Sequence, residues 1–267
     1  MILTHNIYQK ISYKIEGEGV PIVLLHGFME NSEIWNDILF NFRRKYKIIL
    51  IDFPGHGKSF FPQRMNIIST MEEMSIIVLK ILEKEYIKKA IFIGHSMGGY
   101  ISLSIAEKNP HIFLGLCLLH STSNSDSDKK KKIRIKSIKL AKNNFPIFVS
   151  NSINKLFNPK KLNILQIKQR LVKKIALSTS IYSVSSFLRG MSIRNSRIHV
   201  LKNNIFPKLY IIGLHDLILD PKEIKKEVKS IEKYRTKFVS LNVGHMSHVE
   251  DPKKLIKILD KFIVSNQ

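Results

Sequence analysis

The sequence predicts an α/β fold: a mostly parallel central sheet flanked by helices, with an all-helical segment inserted late in it. Three observations carry that expectation. First, continuous apolar runs end abruptly in glycine, as in VPIVLLHG (20–27), YKIILIDFPGHG (46–57) and KAIFIG (89–94). Such runs are the pattern of strands buried on both faces, which parallel sheets require. Second, each run is followed by a stretch of helical periodicity, so β and α elements alternate. Third, the alternation stops at Ser121 and resumes only near residue 201, with helical patterns alone between.

Taken in order, ILTHNIYQKISYKIEGEG alternates loosely and closes on Gly17 and Gly19, the pattern of a starting hairpin. The strand at 20–27 precedes a helix over 32–43, and the strand from residue 46 ends in the Gly/Pro turn DFPGHGKS. Thr70 with Glu73 three residues on is a capping box for a helix running to about Tyr86. KAIFIGHS is the next strand, MGGYISLSIAEKNP a helix stopped at Pro110, and HIFLGLCLLHST a further strand. With both hairpin arms counted, the helical insertion follows the sixth strand. Within it, apolar positions 149, 153, 156 and 157, and then 164, 165, 171, 172 and 175, each fit one helical face. Strands resume at FPKLYIIG (206–213) and TKFVSLNV (236–243), with helices after each. The organisation is therefore 1–120 as the first part of the core, 121–200 as a helical lid, and 201–267 as the second part of the core.

The chain has 267 residues, enough for one large domain with a full core, and 44% of them are hydrophobic. Its start has no apolar run of signal-peptide length, and no stretch is long and apolar enough to span a bilayer. The single cysteine, Cys117, lies in a strand pattern, which makes it a packing residue and points to a cytoplasmic protein without disulfides. The net charge of +23 raises the question of nucleic-acid binding. The excess is local, however: residues 121–200 hold 18 Lys and Arg against only Asp126 and Asp128. Either this is a patch for an anionic partner, or it is drift toward Lys, Ile and Asn codons. The lysine run at 129–132 fits a solvated helix face.

IFIGHSMGGYISL (91–103) sets Ser96 between Gly94 and Gly98, then adds Gly99, where a strand turns into a helix. Glycine is costly inside regular elements, so three around one hydroxyl need a cause. A nucleophile elbow supplies it: the serine takes a strained conformation at a tight turn where bulky neighbours would clash. The turn lifts the hydroxyl out at the carboxyl end of the strand, above the N-terminus of the next helix.

A serine hydroxyl needs a base and an orienting acid, expected downstream in the order acid, then histidine. IIGLHDLILDP offers Asp216 and Asp220. Asp220 before Pro221, with Glu223 following, reads as a helix N-cap, which leaves Asp216 as the acid. LNVGHMSHVEDP offers His245 at the strand exit, with His248 as a packing residue and Asp251–Pro252 as another helix start. Oxyanion donors are expected at the Met97 N–H and, from LLHGFME, the Phe28 N–H, with His26 and Gly27 shaping that loop. His56 reads as a structural histidine and Trp35 as core or pocket wall.

LLHGF, IDFPGHGKS, GHSMGG, GLHD and GHMSHVEDP stand in the order and positions of the α/β-hydrolase superfamily, and the chain resembles its lidded esterase and thioesterase branch over nearly its whole length. The resemblance implies a serine hydrolase that needs no cofactor or metal, with Ser96, Asp216 and His245 as triad and Phe28 and Met97 as oxyanion donors. A serine in place of an aspartate at the elbow speaks against epoxide hydrolases and haloalkane dehalogenases. The implied substrate is an ester or thioester of a small acyl group. A relative that demethylates a pimeloyl-carrier-protein methyl ester is the alternative, its basic lid docking an acidic acyl carrier protein. A menaquinone-pathway lyase would carry arginine close behind the nucleophile, where this chain has Gly99 and Tyr100. A non-catalytic binding protein would have a broken triad. His26 is a candidate substrate contact, and for an anionic substrate Arg134, Arg170, Arg189, Arg194 and Arg197 are the candidates, because guanidinium groups grip carboxylate and phosphate bidentately.

Overall fold

The computed structural model describes residues 10–64 and 66–266. Among these, seven strands form one sheet: β1 (Tyr13–Glu16), β2 (Pro21–Leu25), β3 (Lys47–Ile51), β4 (Ala90–His95), β5 (Phe113–Leu119), β6 (Lys208–Gly213) and β7 (Thr236–Leu241). The spatial order is β1-β3-β2-β4-β5-β6-β7, with β1 antiparallel to β3 and every other pairing parallel. β4 is buried along its whole length, as its continuous apolar run requires. Of the expected starting hairpin, β1 is the arm that the structure describes. It pairs with β3, and the other arm falls on residues 1–9, outside the described residues. The helical insertion accordingly follows the fifth described strand.

Helices cover both faces of the sheet. α1 (Asn36–Phe42), entered through a 3-10 turn at Ser32–Trp35, packs against the last helix, α11 (Pro252–Val264). α2 (Met71–Lys84) packs against α3 (Met97–Lys108). Thr70 and Glu73 close the capping box at α2 in both directions. α9 (Pro221–Lys229) starts at Asp220, whose carboxylate accepts from the Lys222 N–H, and α11 starts at Asp251, which accepts from Lys254 N–H. The Asp220 carboxylate bonds the N2 rather than the N3 amide, and Glu223 closes no reciprocal capping box with it. α10 (Ser247–Glu250) is a single turn after β7.

Between β5 and β6 the chain is helical: α4 (Asp128–Asn143), α5 (Phe145–Asn154), α6 (Gln166–Leu177), α7 (Ile181–Ser192) and α8 (Ile198–Asn203). Its entry is tied to the core by the buried Glu227 of α9. That carboxylate accepts from Thr122 Oγ1, from Ser123 N and Oγ at 2.7 Å each, from Asn124 Nδ2 at 2.9 Å and from the Tyr210 hydroxyl at 2.5 Å. Asp126 pairs with Arg134 and, at 2.7 Å, with Arg194. Arg197 pairs with Glu72 and, at 3.0 Å, with Glu107.

The apolar face expected near α6 differs in detail. Leu165, Val172 and Ile175 are buried, but Ile164 and Leu171 are 79% and 50% exposed. Ile164 precedes the helix, and the buried stripe runs through Val172, Ile175 and Ala176. Leu156 and Phe157 lie past the end of α5, where Phe157 is nonetheless fully buried.

Candidate active site

β4 ends at His95, and Ser96 turns the chain into α3 with φ +49 and ψ −110. That is a strained conformation for a residue with a side chain, and it is held from several directions. Ser96 N–H donates to Leu119 O at 2.9 Å, and Ser121 Oγ donates to Ser96 O at 2.8 Å. The flanking glycines follow from crowding. A Cβ on Gly94 would lie 2.5 Å from the carbonyl of Gly98, and one on Gly98 would collide with the carbonyl oxygen of Leu25 at the end of β2. A Cβ on Gly99 would collide with Ser121. Ser96 itself is half-buried, while Met97 and the start of α3 are buried.

The loop after β6 carries Asp216 and the loop after β7 carries His245. His245 Nδ1 donates to Asp216 Oδ2 at 2.6 Å. The other oxygen, Oδ1, accepts from the Ile218 and Leu219 amides at 2.8 and 3.0 Å, so the carboxylate is fixed on both sides. Burial alone would raise the Asp216 carboxyl. The charge of His245, its hydrogen bond and the nearby His120 ring outweigh it and hold the group well below the usual carboxylate range. Asp220 takes no part, being occupied at the α9 cap. The imidazole's hydrogen bond runs to Asp216, and none joins it to Ser96 Oγ among the described residues.

β2 delivers the third component. Gly27 O accepts from Glu30 N in a turn, Met29 sits at φ +58, and the Gly27 N–H donates to Glu30 Oε2 at 2.7 Å. The Phe28 and Met97 N–H groups donate to no partner among the described residues.

His26 is not available to a substrate. It is fully buried, with Nε2 accepting from Phe53 N at 3.0 Å and Nδ1 on Gly27 O at 2.8 Å. It stitches the loops after β2 and β3, which corrects its place among the candidate contacts. His56 does similar work, accepting from Met29 N at 3.3 Å while Nδ1 bonds Pro54 O at 3.1 Å. Trp35 and His248 are buried against one another, ring centroids 5.0 Å apart. Three arginine candidates are ion-paired within the chain, Arg194 and Arg197 with side chains only 3% exposed and Arg134 sharing one carboxylate with Arg194. Arg194 lies over the Tyr100 ring and on Asp126, Arg197 bridges Glu72 and Glu107, and Arg134 holds Asp126. Arg170 is exposed on α6 and Arg189 half-buried on α7.

A second layer lay outside the sequence reading. His120, at φ +46 after β5, has Nδ1 3.6 Å from Asp216 Oδ2 and bonds Ser247 Oγ through Nε2 at 2.8 Å. His95 and Glu30 form a buried pair at 2.9 Å. The signal for both was present as polar residues in apolar runs, CLLHST and IFIGHS, with no local pattern to name their partners. Glu30, His95 and His248 bring one ligand-type atom each within 4.8 Å, as do His120, Asp216 and His245. In both groups an imidazole nitrogen already bonds the carboxylate, an arrangement suited to proton chemistry.

Residues 20–252 match the family described as alpha/beta hydrolase fold. The chain is 28% identical over 270 residues, 94% of its length and 96% of the relative's, to a pimeloyl-acyl-carrier-protein methyl ester esterase of Wigglesworthia glossinidia brevipalpis. Its fold is similar to that of a thermophilic esterase from Thermogutta terrifontis (TM-score 0.88, 23% identity, covering 96% of this chain and 93% of the other). It is also similar to an enol-lactonase from Burkholderia xenovorans (TM-score 0.86, 19% identity, covering 95% and 96%).

Proposed function

The chain belongs to the α/β-hydrolase fold family, and from that premise we propose that it cleaves an ester or thioester of a small acyl substrate through an acyl-enzyme on Ser96. The observation that carries the reading is the 2.6 Å bond from His245 Nδ1 to a doubly anchored Asp216, at the same sheet edge as a serine held at φ +49 on an elbow. In the proposed reaction Ser96 Oγ attacks the carbonyl carbon and His245 Nε2 takes its proton. Asp216 stabilises the imidazolium and keeps Nδ1 protonated. The oxyanion accepts from the Phe28 and Met97 amides. Collapse expels the alkoxide or thiolate, which takes the proton from His245. Water then repeats the attack on the acyl-enzyme, releasing the carboxylic acid and restoring Ser96.

The test is covalent labelling. A fluorophosphonate probe should label Ser96 in the wild type and leave Ser96→Ala unlabelled, with hydrolysis of p-nitrophenyl esters or acyl-thioesters lost in parallel. Labelling that persists unchanged in Ser96→Ala defeats the assignment.

A second, finer reading is a carrier-protein-linked methyl ester as substrate. It is supported by the 28% identical relative that spans nearly the whole chain, and by the charge of 121–200. In that reading the insertion is a lid over the site, its lysines attracting an acidic acyl carrier protein. The contact of the segment after α5 with the base loop supports the lid: His245 N–H donates to Leu156 O at 2.6 Å. No described helix is long and apolar enough to cross a membrane. A cytoplasmic location is part of the proposal, consistent with a lone buried cysteine.

A further inference from the structure

Three loops must keep their mutual distances for the proposed chemistry: the oxyanion loop after β2, the elbow after β4 and the base loop after β7. They come from distant parts of the chain, and one short run of hydrogen bonds joins them. Glu30 Oε2 accepts from Gly27 N at 2.7 Å, immediately before Phe28. The same oxygen meets His95 Nδ1 at 2.9 Å, immediately before Ser96. His95 Nε2 meets the backbone carbonyl of His245 at 2.9 Å. The two side chains are 2% and 1% exposed, so water cannot substitute for a missing contact.

We propose that Glu30 and His95 form a positioning pair, a buried carboxylate and a doubly donating imidazolium, that holds the oxyanion loop, the nucleophile elbow and the base loop in register. The proposal rests on the acyl-enzyme reading above.

The charge state follows from the partners. Each His95 nitrogen faces an oxygen that can only accept, a carboxylate on one side and a carbonyl on the other. Only an imidazolium donates from both nitrogens. A neutral ring would set a lone pair against Glu30 or against the His245 carbonyl. Burial disfavours the charge on both partners, yet their mutual attraction prevails, raising His95 and holding Glu30 at about 2. The other titratable groups around His95 are Asp216, whose charge also favours the imidazolium, the rings of His245, His120 and His248 at 5.1, 5.9 and 4.3 Å, and His26, which burial holds below the ordinary histidine value. Burial keeps His248 neutral, its pKa well below the ordinary value, and lowers His120 to about 4. The Trp35 ring stands nearly perpendicular to the His95 ring, with centroids 6.5 Å apart. Neither residue of the pair touches the reacting atoms. Their effect is geometric: they set where the Phe28 amide, Ser96 and His245 stand relative to one another.

The experiment is turnover per active site, counted by fluorophosphonate titration, in Glu30→Gln and in the neutral double variant Glu30→Gln/His95→Asn. Glu30→Gln keeps an acceptor for Gly27 but removes the charge that holds His95 protonated. At pH 8 its kcat per titrated site should fall about 10-fold or more, with KM within about twofold. The ratio of wild-type to variant kcat should widen from pH 6 to pH 9, as His95 loses its second proton. In the double variant the loss should persist with a pH-independent ratio. A merely structural role would lower the folded fraction and leave kcat per site and the pH profile unchanged; that result overturns the proposal. The wild type supplies a check that needs no variant. In 15N-histidine-labelled protein, one imidazole with both ring nitrogens protonated should persist at pH 8, and its absence equally overturns the pair. If wild-type Ser96 takes no label, the acyl-enzyme reading fails. If it labels normally and the variants match it, only the positioning pair fails.

Discussion

Asp216 and Asp220 share one short segment, yet their carboxylates do different work. Asp216 holds the His245 ring, and Asp220 holds the first turn of α9. Asp216→Asn keeps an oxygen for the Ile218 and Leu219 amides but turns an N–H toward His245 Nδ1, which forces the tautomer that cannot accept from serine. Turnover should fall by roughly two to four orders of magnitude with little change in melting. Asp220→Ala should instead cost about 1 kcal/mol of stability while kcat per folded molecule is kept. Thermal melts and steady-state rates on the two variants decide it, and reversed outcomes would exchange the assignments. The distinction was legible beforehand because a cap has a local signature, an Asp before Pro221 at the helix start. Glu30 and His95 were not legible, because their partnership spans 65 residues and no spacing rule links them. The arginines misled for the opposite reason. Arg194 and Arg197 have the right chemistry for an anion, but the acids that neutralise them, Asp126, Glu72 and Glu107, come mostly from other segments.

The inner strands were readable as elements because a strand buried on both faces is apolar throughout, and the elbow because it packs three glycines around one serine. The faces of the insertion helices were less so. Lys and Ile alternate so densely there that several stripes satisfy the same period, and packing chose Val172 and Ile175 over Leu171. The elbow itself is a contact between elements: α3 approaches β2 so closely that a Cβ on Gly98 meets the Leu25 carbonyl, and backbone has little room to yield. Gly98→Ala should therefore displace Ser96 and slow fluorophosphonate labelling by about 100-fold. Gly115→Ala is the matched control. Its Cβ would lie 3.0 Å from the tip of the Phe262 ring, away from the elbow, so stability falls while the labelling rate stays near wild type. Equal labelling of Gly98→Ala and wild type would mean that the elbow does not depend on that approach.

Two charge systems act on the scale of the whole molecule, one inside and one outside. Inside, burial holds His26, His56, His120 and His248 below the ordinary histidine value, with His56 at about 3 and His120 at about 4. The unfolded chain takes up protons below about pH 6.5 that the fold refuses, so each group removes about 1 kcal/mol of stability per pH unit below that point. His95 has the opposite sign: raised in the fold, it adds stability that is fully present below about pH 6.5 and lost as pH rises through its folded value, so the slope below pH 6.5 is left to the other four. The melting temperature should thus drop steeply between pH 6.5 and 5, and a level midpoint over that range would contradict these buried neutral rings. Outside, the insertion has lost its internal arginines to ion pairs, so its field comes mainly from lysines, among them the exposed Lys129, Lys131 and Lys132 on α4. Solvated lysines steer rather than clamp: they raise the encounter rate of anions without fixing a pose. If that field serves the site, kcat/KM at low salt should favour an anionic ester over a neutral one of equal length. The advantage should vanish near 0.5 M salt, where the Debye length is about 4 Å. Reversing the charges of Lys129–Lys132 should shrink the advantage through KM while kcat on the neutral ester is unchanged, since those side chains stand on an outer helix. Equal rates for the two esters at low salt would leave the basic insertion a matter of composition, and the site would then select its substrate by shape alone.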